Sequence, residues 1–203
     1  MGNYAMLLGV LAAVFHVGAY AAYLSHARGG RCAPSPTGWA LSIPLTALNA
    51  VATLLTTGNI LTATQFLAGT VCSTLVCLHL LRRGRFSAFT SMQWVLIVIC
   101  AAGFASAKLS HDPRVPVVAG FVALLVAALP TIRGVWLDPS REHPQAWIIW
   151  IVGSLCYVAQ RSCDDIDATK YLVPVAAITI NISVIVLSQN LHRRLPIIAR
   201  RAL

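Results

Sequence analysis

Seven apolar segments separated by short polar loops most constrain what this chain can fold into. They cover residues 4–25, 38–56, 61–81, 86–107, 115–132, 144–160 and 171–187. Their lengths are close to the ~20 residues that a helix needs to cross a hydrocarbon core of ~30 Å. Because no water is present there, the backbone must satisfy its own hydrogen bonds within a helix. The sequence therefore predicts an all-α integral membrane protein with seven transmembrane helices.

The composition excludes an ordinary soluble domain. Charged residues make up 10% of the 203 residues and hydrophobic residues 58%, whereas soluble domains carry roughly 25% charged residues. The net charge of +9 does not indicate a nucleic-acid partner, since Lys and Arg collect in the cytoplasmic loops of membrane proteins. The six cysteines show no CxxC pair and no zinc spacing. No metal, disulfide or cofactor is expected, and the predicted environment is the lipid bilayer.

The loop charges predict an orientation. With seven helices, eleven of the 15 Lys and Arg residues fall on the face that holds the C-terminus, and four fall on the other face. Positive loops stay in the cytoplasm. The N-terminus is therefore expected outside, and the basic tail, residues 188–203, is expected in the cytoplasm.

Two matching Pro-x-x-Trp signatures indicate an internal repeat. Pro36 and Trp39 open the second apolar segment, and Pro144 and Trp147 open the sixth, at an offset of 108 residues. At this offset a first triple-helix unit (4–81) aligns in sequence with a second one (115–187). Residues 86–107 remain between them as a linker helix. Because the linker is a single helix, the two units run in the same direction. The sequence thus predicts a 3+1+3 parallel repeat, a class in which the binding site lies between the repeats.

One stretch of the second unit carries a family resemblance. Leu129-Pro130-Thr131-Ile132-Arg133 is followed by a polar loop and then by the Pro144–Trp150 stretch. With the three-one-three order and the short chain, this resembles the SWEET and PQ-loop (MtN3-like) transporters, and in particular their bacterial members. Thr131 stands where the signature dipeptide of the family has Gln. The resemblance implies a multi-pass protein of the plasma membrane, of the bacterial inner-membrane type.

The resemblance also implies a substrate site. In that family, polar and aromatic side chains midway along helices two, three, six and seven line the cavity. The 108-residue offset pairs Asn49 with Tyr157 and Ser73 with Asn181, and Trp150 lies at the predicted entrance. An Asn amide both donates and accepts hydrogen bonds, which suits a neutral polar solute. The alternatives are that these polar groups only join helices and that the indole anchors the chain at the membrane interface.

Hinge positions are matched incompletely. Pro130 occupies the position of a family hinge in helix five, but its first-repeat equivalent is Ala22. Pro44 in helix two corresponds to Val152 in helix six. Gln160, at the end of helix six, is a candidate for closing the outer end of the cavity.

Other polar residues leave alternatives open. His16, midway along helix one, could titrate, bind haem or hydrogen-bond to a neighbour. The cluster of Asp164, Asp165 and Asp167 could attract a cation or form a solvated loop. All six acidic residues lie outside the apolar segments, whereas proton-coupled transporters usually carry an intramembrane carboxylate or His. This favours a facilitator over a proton-coupled transporter. The sequence shows no set of residues typical of a catalytic site, so an enzyme is not predicted.

The leading hypothesis is a facilitator of a small polar solute, such as a sugar, amino acid or vitamin, by alternating access between the two triple-helix bundles. The alternative is a non-transporting receptor, chaperone or small subunit of a larger membrane complex, which the missing hinge prolines favour. A homo-oligomer is left open under both hypotheses.

Overall fold

The computed structural model describes residues 3–33, 36–82, 90–109, 112, 114–163 and 168–189. Within these residues the chain forms seven α-helices, two short 3-10 helices (139–141 and 168–171) and no strand. The α-helices are α1 (Asn3–Arg28), α2 (Pro36–Thr57), α3 (Ile60–Leu81), α4 (Ser91–Leu109), α5 (Arg114–Leu137), α6 (Pro144–Arg161) and α7 (Leu172–Gln189). This confirms the prediction of seven helices. Three parts of the predicted layout lie outside the described residues: the start of the linker helix at 86–89, the acidic cluster of Asp164, Asp165 and Asp167, and the tail from residue 190 onwards.

Five of the helices are long and apolar enough to cross a membrane: α1, α2, α3, α5 and α7. The apolar part of α4 is shorter and covers Gln93–Ser106. α6 has 18 residues and is less apolar, since Gln145, Gln160 and Arg161 lie near its ends. By length and composition the helices are thus compatible with a membrane protein, with five clear spans.

Local sequence signals explain where several helices begin. Pro36 and Pro144 are the first residues of α2 and α6, where the missing N–H of proline costs nothing. Gly58 has a φ of 62°, a conformation that glycine adopts without strain. Asn59 then caps α3, because its side-chain oxygen accepts a hydrogen bond from the N–H of Leu61 at 2.9 Å. This tight turn makes α2 and α3 antiparallel neighbours.

Six of the helices form a closed ring. α1 packs against α3 and α6, α2 packs against α3 and α5, and α7 packs against α5 and α6. The order around the ring is therefore α1, α3, α2, α5, α7, α6. α4 packs against α2 and α5, beside the ring. The ring order brings α1 and α6, which are far apart in sequence, into direct contact.

The outer surface is apolar and the ring interior contains polar groups. Val14, Val71 and Leu75 are 59%, 60% and 57% exposed, whereas Asn49 and Ser73 are 4% and 0% exposed. Soluble proteins rarely expose continuous apolar surface. The distribution fits helices whose outer faces contact lipid.

Glycines allow two close helix contacts. A Cβ atom on Gly103 of α4 would lie 2.7 Å from Leu48 of α2 and 3.2 Å from Ala119 of α5. A Cβ on Gly120 of α5 would overlap the side-chain oxygen of Asn49. Small residues at such contacts let helix backbones approach closely. Gly103 thus lets α4 pack against α2 and α5, and Gly120 lets α5 pack against α2.

We expect Gly103→Leu to destabilise the protein by roughly 1–3 kcal/mol, the usual cost of overpacking a tight contact. The matched control is Gly18→Leu in α1, because a Cβ at Gly18 meets nothing within 4 Å. Thermal unfolding in detergent, followed by size-exclusion chromatography of the surviving protein, measures both variants. Equal midpoints for the two variants would contradict the close packing of α4.

Candidate functional site

A cavity of about 400 Å³ lies inside the helix ring. At one end its lining includes Ala33, Gly38 and Arg141, all of which are exposed. We call this the entrance end, where α1 finishes and α2 and α6 begin. The opposite, deep end of the lining includes Phe66 and Val173. The cavity therefore reaches the surface at one end of the helices.

An apolar cluster closes the deep end. Phe66 and Tyr157 meet edge to face, with ring centroids 5.4 Å apart, and Ala12, Ala50 and Val173 are buried in the same cluster. On the far side is a small pocket of about 20 Å³ whose lining includes Tyr157. The cluster thus separates the cavity from the other end of the molecule.

Three of the five predicted substrate residues line the cavity: Asn49, Asn181 and Trp150. Asn49 uses its amide nitrogen to donate to the carbonyl of Leu45 at 3.0 Å, so part of its hydrogen-bonding capacity serves its own helix. Asn181 of α7 is 7% exposed.

The other two predicted substrate residues lie outside the main cavity. The Ser73 hydroxyl is 2.9 Å from the Tyr20 hydroxyl, and its side chain has no exposed surface. Tyr157 belongs to the closing cluster. Ser73 therefore joins α3 to α1, as interhelical hydrogen bonding predicts, and Tyr157 lies between the cavity and the small pocket.

The predicted hinge residues occupy different places. Pro130 lies within α5 and lines the cavity. Pro44 lies within α2 and is outside the cavity lining. Gln160 is 1% exposed, and its side-chain nitrogen would lie 2.5 Å from a Cβ at Gly9 of α1. It fills the α1–α6 contact near the end of α6, beyond the closing cluster.

Aromatic rings from three helices surround the entrance half of the cavity. Tyr20 and Tyr23 come from α1, Trp39 from α2, and Trp147 and Trp150 from α6; all five line the cavity. Trp39 lies 4.8 Å from Tyr23 and 5.4 Å from Tyr20 between ring centroids. Trp150 lies 5.1 Å from Tyr20 and 5.2 Å from Trp147. We call these five side chains the aromatic cluster.

His16 extends the aromatic cluster toward the deep end. Its ring centroid is 5.5 Å from Tyr20 and 6.4 Å from Trp150, and it lines the cavity. Sequence reasoning singled out this residue but placed no aromatic partners beside it. The structure places the imidazole among aromatic rings.

Glu142 places a carboxylate among these rings. One carboxylate oxygen accepts from the Tyr23 hydroxyl at 3.0 Å, and the other accepts from the Trp147 indole N–H at 3.2 Å. The residue precedes α6 and lines the cavity. Burial raises the pKa of Glu142 to about 7, although both hydrogen bonds act to lower it. The carboxyl group therefore changes charge near neutral pH.

Loop contacts hold the entrance end together. The N–H of Ala33, after α1, donates to the carbonyl of Arg141, before α6, at 3.1 Å. His26 lies 2.9 Å from the Gln145 side-chain oxygen and stacks on His143 with centroids 3.8 Å apart. These contacts fix the backbone on both sides of Glu142, so they also orient its carboxylate.

Sequence reasoning missed Glu142, Tyr20 and Tyr23. Glu142 lies outside the apolar segments, which suggests a solvated loop, and its bond to Tyr23 spans 119 residues. Two local signals point to these residues. Tyr20 and Tyr23 lie three residues apart, on one face of a helix, and Glu142 lies five residues before an indole that needs an acceptor.

No family model matches the chain, and comparisons with curated proteins and with solved structures find no match. Among the described residues, no group of three or more His, Cys, Asp or Glu side chains is placed to hold a metal ion.

The raised pKa of Glu142 predicts a pH dependence of stability. Between pH 4.5 and pH 7 the folded state binds more protons at this carboxyl than the unfolded state does. The free energy of unfolding should therefore fall as pH rises through this window, by roughly 3 kcal/mol from this group. Equilibrium unfolding in mixed detergent–SDS micelles from pH 4.5 to 7.5 measures the slope.

Glu142→Gln should remove this part of the slope, since an amide does not titrate. The loss of one hydrogen bond shifts the whole curve but not its slope. Asp138→Asn alters an exposed carboxylate in the same loop and should keep the wild-type slope. A Glu142→Gln slope equal to that of the wild type contradicts the assignment.

Proposed function

We propose that the protein is a multi-pass membrane transporter that passes a small polar solute, such as a sugar, amino acid or vitamin. The solute crosses by alternating access between two triple-helix bundles, as in the SWEET and PQ-loop transporters that the sequence resembles. One observation carries this proposal. The cavity reaches the surface at the entrance end, and the cluster around Phe66 and Tyr157 closes the deep end. A cavity that is open at one end and closed at the other is expected for one state of an alternating-access cycle.

The helix contacts support a parallel 3+1+3 repeat as part of this proposal. α3 contacts both α1 and α2, and α7 contacts both α5 and α6. The third helix of each triplet is thus placed between the other two in the same way. α4 contacts the second helix of the first triplet and the first helix of the second, as a linker between the bundles does. The cavity lies between the triplets, where repeats of this kind hold their solute.

In this proposal the solute contacts Asn181 and Asn49 at the inner part of the cavity and Trp150 nearer the entrance. Pro130, within α5 and against the cavity, takes the role of a hinge. The entrance end faces the cytoplasm, in keeping with the excess of Lys and Arg in the loops on that side. The membrane is then the plasma membrane, of the bacterial inner-membrane type.

The alternative, a non-transporting receptor, chaperone or small subunit of a larger membrane complex, also has an observation in its favour. Ser73 and Tyr157 are sealed by packing, so only part of the predicted polar site faces the cavity. A receptor needs the open cavity but not the passage through the closing cluster. Transport measurements separate the two proposals.

Asn181→Leu should reduce uptake at least tenfold while the protein remains folded, because Leu keeps the volume of the side chain and removes its hydrogen bonds. Proteoliposomes are tested with radiolabelled sugars, amino acids and vitamins. Thr179→Leu, on the same helix, is the control, since Thr179 is exposed and its hydroxyl donates to its own backbone at Val175. Unchanged uptake by Asn181→Leu contradicts the site, and absence of any uptake favours the receptor or subunit.

The proposed orientation predicts which positions, when occupied by cysteine, react with a reagent outside the cell. Cys163, just after α6, and Ser140, just before it, are both exposed and lie at opposite ends of that helix. A membrane-impermeant maleimide applied to intact cells should label Cys163. It should not label Ser140→Cys in a Cys163→Ser background until the cells are broken. The reverse labelling pattern would show that the N-terminus is cytoplasmic.

A further inference from the structure

We propose that the cavity binds a monovalent organic cation, a quaternary or alkylated amine, between the Glu142 carboxylate and the faces of the aromatic cluster. This inference rests on the proposed function, because it names the solute class of the same cavity. Binding itself does not require transport.

The charge inside the cavity favours a cation. Glu142 is the one acidic side chain among the cavity-lining residues of the described chain. Arg141 lies at the entrance, where its guanidinium is 3.7 Å from Asp138 and both side chains are more than half exposed. The cation at the rim is thus paired and solvated, whereas the carboxylate is directed inward. An anionic solute would have to approach this carboxylate in a medium of low dielectric constant, where like-charge repulsion is strong.

The aromatic cluster supplies faces for the alkyl groups of such a cation. The ring of Tyr23 lies 4.8 Å from Trp39 and 5.9 Å from Trp150, and the two indoles lie 6.3 Å apart, between centroids. At these spacings the rings contact one another and leave no room between them, so a solute meets the cluster from its cavity side, where rings from α1, α2 and α6 form part of the wall. An alkylated ammonium within about 6 Å of a ring centroid is attracted by the negative face of the ring. Glu142 is hydrogen-bonded to Tyr23 and Trp147, so the carboxylate and the rings are held as one unit.

The polar side chains of α2 that line the cavity are already engaged within their own helix. The Ser42 hydroxyl donates to the carbonyl of Trp39 at 2.7 Å, and the Thr46 hydroxyl donates to the carbonyl of Ser42 at 2.8 Å. The Asn49 amide nitrogen is likewise used within its helix. A sugar needs several directed partners for its hydroxyl groups, because unpaired polar groups in a buried site are costly. An alkylated ammonium needs one countercharge and apolar contact, and the entrance half of the cavity has both.

The protonation of Glu142 couples cation binding to pH. Burial raises the pKa of Glu142 to about 7 in the empty cavity, so near neutral pH the site holds a mixture of carboxyl and carboxylate. A bound cation stabilises the carboxylate. Binding to the protonated form therefore releases one proton to solution, and the charge of the site stays balanced.

The groups around the carboxylate do not offset this effect. Burial raises the pKa of the Cys32 thiol to about 12, so the thiol stays neutral. The pKa of His143 is lowered by burial and by the nearby charges of His26 and Arg31. Among the described residues, the titratable or charged groups at the entrance end include Tyr23, His26 and Arg28 of α1, Arg31 and Cys32 of the following loop, and Asp138, Arg141 and His143 around Glu142.

Choline chloride and its neutral carbon isostere, 3,3-dimethyl-1-butanol, are the matched probes. Titration calorimetry on the full chain in nanodiscs, supported by tryptophan fluorescence, measures both. We expect choline to bind at least tenfold more tightly than the isostere. Between pH 5.5 and pH 8.5, choline affinity should rise about thirtyfold, as one group with a pKa near 7 requires. Equal affinity for the two probes, or no choline binding up to 50 mM, overturns the proposal.

Two variants test the parts of the site separately. Glu142→Gln should lower choline affinity at least tenfold and abolish its pH dependence. Trp39→Leu should lower choline affinity at least threefold, whereas Trp136→Leu, which changes a side chain that is 64% exposed on α5, should match the wild type. Wild-type affinity in Glu142→Gln overturns the proposal even if choline binds.

The outcomes also separate this proposal from transport. Choline that binds as described but does not enter proteoliposomes leaves the cation site in place and contradicts transport. Uptake of a neutral sugar or amino acid without choline binding supports transport and overturns the cation site.

Discussion

The high cost of an unpaired polar group in an apolar medium is the constraint on which this structure depends. The outer faces of the helices carry Val and Leu, so polar side chains have to find partners within the ring. Ser73 pairs with Tyr20, Asn49 uses a backbone carbonyl, and Glu142 receives two donors. Each of these bonds joins elements or holds a side chain at the cavity. These bonds link α1 to α3 and to the loop before α6, and they hold polar side chains beside the cavity.

Features that depend on local sequence could be predicted. Helix starts at Pro36 and Pro144 follow from local chemistry, because proline suits the first turn of a helix. Asn49, Asn181 and Trp150 were predicted to line a cavity from the resemblance to a transporter family, and all three line the cavity of the structure. Ser73 could not be distinguished in this way, since a hydroxyl can serve a neighbouring helix as well as a solute. Only the position of Tyr20 decides between these roles.

The features that depend on distant contacts could not be predicted. Glu142 is in a loop, and nothing in its sequence neighbourhood shows that Tyr23 lies beside it. The aromatic cluster likewise combines α1, α2 and α6, and the sequence does not show that α1 packs on α6. Aromatic residues near helix ends have an equally good explanation as interface anchors. In the folded structure the rings of Trp39 and Trp150 are neighbours, with centroids 6.3 Å apart.

The contacts between Ala33 and Arg141 and between Tyr23 and Glu142 join the first half of the chain to the second at one end. Any motion that separates the halves there must first break both bonds, whereas at the other end it must pull apart apolar side chains. The free energy needed to break hydrogen bonds and the free energy needed to expose apolar surface depend differently on temperature. The reason is that hydration of apolar surface carries a large heat capacity. The two ends of the molecule should therefore have opening rates with different temperature dependences, so the end that opens more readily can change with temperature.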